Sequence, residues 1–108
     1  MNKFQSQVNN QLKTGDEEKD YRKGWINIRA EILRQLKEAG SSVTQNSVSA
    51  IEPHTNRPPP SKMTFSVSIN GKSDSFNATK EQVIDSYERV ADPVLVREIR
   101  ALVGRLTT

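Results

Sequence analysis

Cysteine is absent from this 108-residue chain, histidine and tryptophan occur once each, and no apolar run exceeds three residues, as at Val94, Leu95 and Val96. Without cysteine there are no disulfides and no thiolate metal sites, which agrees with a reducing compartment. Without a long apolar run, no membrane-spanning helix is expected. The start, Met1-Asn2-Lys3-Phe4-Gln5, lacks the apolar core of a secretory signal, so the expected location is cytoplasmic. Apolar residues make up only 33%, against about 45–50% (glycine counted) in a typical globule. Either part of the chain stays outside the core, or the fold completes its core on a partner.

The chemistry of catalysis is thin as well. His54 is the sole histidine and sits among prolines, where neither a multi-ligand metal site nor a supported general base is expected. Gly71-Lys72-Ser73 resembles the tail of a phosphate-binding loop, but the glycine that motif needs five residues earlier is Ser66. Asn77-Ala78-Thr79 fits a glycosylation pattern, yet Thr79 is better explained as a helix cap. The expectation is a non-enzyme with no catalytic residue, no metal and no cofactor.

What is present is pattern. Tyr21, Trp25, Ile28, Ile32 and Leu36 recur at intervals of three and four, with Ile26 and Leu33 widening the stripe. They predict an amphipathic helix over about residues 18–39, acid-rich at its start and stopped by Gly40. Phe65, Val67 and Ile69 alternate with Thr64, Ser66 and Ser68, and Asn70-Gly71 suits a type I′ turn. A hairpin over 63–77 follows, its register pairing Ile69 with Lys72, Val67 with Asp74 and Phe65 with Phe76. Thr79-Lys80-Glu81-Gln82 reads as a capping box opening a helix over about 80–91. Asp92-Pro93 restarts the chain for a last helix over about 93–106, striped by Leu95, Ile99, Leu102 and Leu106. Ser41–Ile51 reads as a weak edge strand.

The expected fold is a small α+β domain: an antiparallel sheet of two or three strands packed by one N-terminal and two C-terminal helices. Residues 20–108 form the single domain, with an exposed Pro-rich loop at 52–62. Residues 1–19, where Phe4, Val8 and Leu12 recur every four positions, form a flexible or weakly helical arm.

Charge is unevenly placed. Residues 21–40 carry Arg22, Lys23, Arg29, Arg34 and Lys37 against Glu31 and Glu38, and residues 93–108 carry Arg97, Arg100 and Arg105 against Glu98. On a helical projection from Trp25, Arg29 falls at about 40° and Arg22 at about 60°, with Lys37, Lys23 and Arg34 reaching about 180°. Snorkelling side chains explain such placement, and so does a basic ridge for phosphates. The leading expectation is therefore a nucleic-acid contact through Arg22, Lys23, Arg29, Arg34, Lys37, Arg97 and Arg100. The alternative is a protein-interaction module (inhibitor, adaptor, subunit or homodimer) using an edge strand, the Pro-rich loop or an amphipathic helix. No membrane partner is expected.

The order helix, three strands, helix over about residues 20–91 is similar to a double-stranded-RNA-binding domain. Phe65, Val67, Asn70-Gly71 and Phe76 fall where that family has its strand and turn. The family's lysine cluster at the second helix is reduced here to Lys80, followed by Glu81.

Overall fold

The computed structural model describes residues 16–43, 47–50 and 59–108. The expectations for residues 1–15, for Glu52–Pro58 with His54, and for part of the Ser41–Ile51 strand lie outside the described residues. Helix α1 spans Glu17–Glu38, and strands β1 (Val48–Ser49), β2 (Lys62–Ile69) and β3 (Lys72–Thr79) follow. Helices α2 (Lys80–Asp85) and α3 (Pro93–Thr107) complete the fold. The strands form one antiparallel sheet in the order β1-β2-β3, so the α+β class is as expected. No helix among the described residues is long and apolar enough to cross a membrane.

Local chemistry explains most boundaries. Asp16 caps α1 by accepting from the backbone N–H groups of Glu18 and Lys19, so 17–19 belong to the helix rather than to the arm. At the other end Gly40 takes φ 87°, Gly40 N–H donates to Lys37 O and Ser41 N–H to Leu36 O. Those two bonds form a Schellman stop, which needs the positive φ that glycine tolerates. Asn70 at φ 50° and Gly71 at φ 82° make the two-residue turn, and the register pairs Phe65 with Phe76 as expected. The hairpin runs further than expected, to Lys62 and Thr79, so Lys62 is strand rather than loop. Strand β1 is shorter than expected, two residues on Val67 and Ser66.

The second helix corrects the expected 80–91 span. It opens with both halves of the capping box, Thr79 Oγ1 accepting from Gln82 N–H and Gln82 Oε1 from Thr79 N–H. It ends after Asp85. Ser86 N–H and Tyr87 N–H tighten onto Val83 O and Ile84 O, Ser86 Oγ donates to Gln82 O, and Asn27 Nδ2 captures Ser86 O at 2.7 Å. A carbonyl taken by another helix is no longer available to residue 90, so the periodic apolar pattern does not continue as helix.

The helices lie on one face of the sheet, making two layers around one core. Tyr21, Ile28, Ile32 and Leu36 from α1, Phe65 and Val67 from β2, Val83 from α2, and Leu95, Ile99 and Leu102 from α3 are all fully buried. The other face is hydroxyl-rich: Thr64 Oγ1 donates to Asn77 Oδ1 at 2.7 Å, and Ser68 and Ser73 share a hydrogen bond of 2.8 Å.

Two glycines inside helices have opposite roles. Gly24 in α1 is buried, and a Cβ built on it would overlap the carbonyl oxygen of Val83. Gly104 in α3 is exposed, with nothing within 4 Å of such a Cβ. Gly104→Ala is therefore expected to stabilise the domain by about 0.5–1 kcal/mol, because it removes backbone freedom from the unfolded chain at no steric cost. A rise in the urea midpoint with unchanged slope checks it.

Tyr21 carries the most exposed consequence of this packing for pH. Its side chain is 0% accessible, its hydroxyl has no hydrogen-bond partner among the described residues, and burial pushes its pKa up to about 12. The folded state thus holds the phenol proton after the unfolded chain has released it at its ordinary value of 10.0. Stability is fully present below that value and falls as pH rises through it, by about 2–3 kcal/mol in all by pH 12. Tyr21→Phe is expected to flatten this alkaline loss and to raise neutral-pH stability by about 1 kcal/mol. Urea melts of both proteins between pH 8 and about pH 12 compare them directly.

Candidate interface on the first helix

Helix α1 presents three sides. Its core side packs on the sheet. A second side, holding Gly24, Asn27 and Glu31, meets α2 and α3: Gly24 touches Val83, Asn27 bonds Ser86, and Glu31 feels the charge of Arg100. The third side points away from both helices. Lys19, Arg22, Lys23, Ile26, Arg29, Ala30, Leu33, Arg34 and Lys37 lie on it, between about 40° and 180° of the projection. No acid of α1 falls in that arc, since Glu18 is at about 20° and the others lie beyond about 200°.

Ile26 is 50% exposed. It had been expected to widen the core stripe, but its position about 100° from Trp25 carries it past the edge of the sheet contact. Beside it Ala30 is exposed and Leu33 is only partly buried against the core. Trp25, Ile26, Arg29, Ala30 and Leu33 together line a shallow depression. Arg29 lies over the Trp25 ring, 5.7 Å from its centroid, which orients the guanidinium along the rim. The surface is a small apolar strip edged by bases.

The seven basic residues expected to act together are divided by the fold. Arg22 and Arg29 are half-buried on the third side, and Lys23 and Lys37 are exposed there. Arg34 is exposed but bridges Glu31 and Glu38. The Arg34 hydrogen bond holds the Glu31 carboxyl below its usual range, with Gln35 and the charges of Arg34 and Arg100 acting the same way. Arg97 and Arg100 are exposed on α3, and Arg100 stands toward Glu31. Two carboxylates therefore interrupt the path from the basic side of α1 to α3. Arg105 is engaged too, donating to Asp74 on β3 and holding that carboxyl below its usual range, helped by Ser75 N–H.

Strand β3 is the long edge of the sheet, and its chemistry discourages added strands. In a type I′ hairpin closed by Ile69 and Lys72, the backbone groups of Ser73, Ser75, Asn77 and Thr79 point outward. Asp74 Oδ1 accepts from Ser75 N–H at 2.8 Å, and Gln82 Oε1 accepts from Thr79 N–H at 2.9 Å. Half of those outward donors are already held, beside the Asp74–Arg105 pair.

Among the described residues no group of three or more His, Cys, Asp or Glu side chains is arranged to hold a metal ion. Compared with known proteins, the chain matches no family model, no curated protein and no solved structure. Sequence reasoning identified the basic residues of α1 but missed the exposed strip beside them. The signal was the angle of Ile26, which groups it with Lys19 and Lys37 rather than with Trp25.

Proposed function

We propose that the protein is a non-catalytic cytoplasmic binding module whose third α1 side docks an acidic protein surface. The observation that carries this reading is Ile26, half-exposed inside an acid-free basic arc and continued by Ala30 and Leu33. An apolar centre with a charged rim is how protein interfaces are built. Phosphate binding needs charge and gains little from an exposed isoleucine. The charge balance of Arg34 by Glu31 and Glu38 also favours this reading over a continuous phosphate-binding face.

Two variants separate the partners. Acidic, leucine-bearing peptides are expected to bind saturably, and about tenfold more weakly both to Ile26→Asp and to Lys23→Glu with Lys37→Glu. Duplex and single-stranded nucleic acid, titrated in parallel at low salt, are expected to bind weakly. Nucleic-acid binding that is tight, steeply salt-dependent and indifferent to Ile26→Asp would replace the proposal with the phosphate-contact reading.

A further inference from the structure

We infer that the occupant of this side of α1 is itself an acidic amphipathic helix, lying lengthwise along Lys19, Arg22, Ile26, Arg29, Leu33 and Lys37. The inference rests on the acidic-partner reading and adds the partner's conformation. The first five of those positions are separated by three, four, three and four residues. That alternation is the seam on which a second helix packs side by side, its knobs entering the gaps left by the first. The line runs about 27 Å along an unbroken helix, enough for a partner of about five turns.

Backbone accounting points the same way. A docked extended chain must find partners for its amide and carbonyl groups as its surroundings dry. This side of α1 has none to give, because the backbone of a helix interior is bonded within the helix. The sheet edge that could supply them is β3, across the fold and partly closed by Asp74 and Gln82. A helix arrives with its backbone already satisfied and offers only side chains, which is what the strip can use. Apolar groups of the partner meet Ile26, Ala30 and Leu33, while its flanking carboxylates meet the basic rim. Charge sign selects the partner and speeds its encounter.

The test uses the full chain and a labelled peptide of about three heptads, with Leu at the two core positions and Glu at the flanking ones. A second peptide keeps every Glu and Leu but carries two central prolines, which prevent a continuous helix. By fluorescence anisotropy the intact peptide is expected to bind at least about tenfold more tightly than the proline-broken one. Its helical circular-dichroism signal should rise on binding, and Ile26→Asp should weaken it by a similar factor. A proline-broken peptide that binds as tightly as the intact one overturns the helical occupant and leaves the acidic-partner reading standing. Failure of both peptides to bind overturns both. Thermal melts confirm that Ile26→Asp is folded, as expected for a half-exposed position.

Discussion

Gly24→Ala is expected to destabilise the domain by about 3 kcal/mol, although alanine is the better helix former by about 1 kcal/mol. The added methyl would occupy the space of the Val83 carbonyl oxygen and lie 2.7 Å from the Val83 carbonyl carbon. Both are backbone atoms of α2, which cannot swing aside as a flexible side chain would. Separating α1 from α2 would also strain the Asn27–Ser86 hydrogen bond that terminates α2. The melting temperature should fall by roughly 12–24 °C for a domain of this size. Gly24→Ser should behave alike, and Gly104→Ala should move the other way. Equal effects from the two alanine substitutions would show that the close approach at Gly24 does not constrain the packing.

Phe65→Ala is expected to cost about 4 kcal/mol, a large share of the total stability of a small domain. Phe65 is fully buried on the central strand, with its ring stacked on Phe76 at a centroid distance of 5.5 Å and an interplanar angle of 13°. Truncation leaves a ring-sized cavity between strands and helices and removes the aromatic pair. Phe65→Leu refills much of the space and should cost about 1–1.5 kcal/mol. A cycle with Phe76→Ala should reveal a coupling of about 0.5–1.5 kcal/mol, because the two rings share one contact. Urea unfolding of the four proteins gives each term.

Local periodicity accounts for what was legible in the chain. The α1 stripe, the Asn70-Gly71 turn, the Phe65–Phe76 register, the Thr79 capping box and the Asp92-Pro93 restart depend on neighbours within a few residues, and each stands in the structure. The expected helix over 80–91 stopped early because a side chain 59 residues away takes its Ser86 carbonyl. Nothing within the segment announces that competition. The basic residues of the candidate interface were legible as residue types. Their division was not, because Arg34 is held by neighbours on its own helix whereas Arg100 is brought toward Glu31 only by packing.

By itself, the sequence determined the element types, the turn, the caps, the hairpin register and the lack of thiol chemistry, since each follows from spacing or from residue identity. Tertiary structure alone decided that Gly24 marks the tightest approach between helices and that Ile26 lies outside the core. It also decided that the basic residues of α1 and α3 are set apart by Glu31 and Glu38. Those are questions of which face meets which neighbour, and a helical stripe sets the width of a face without saying where its partners end.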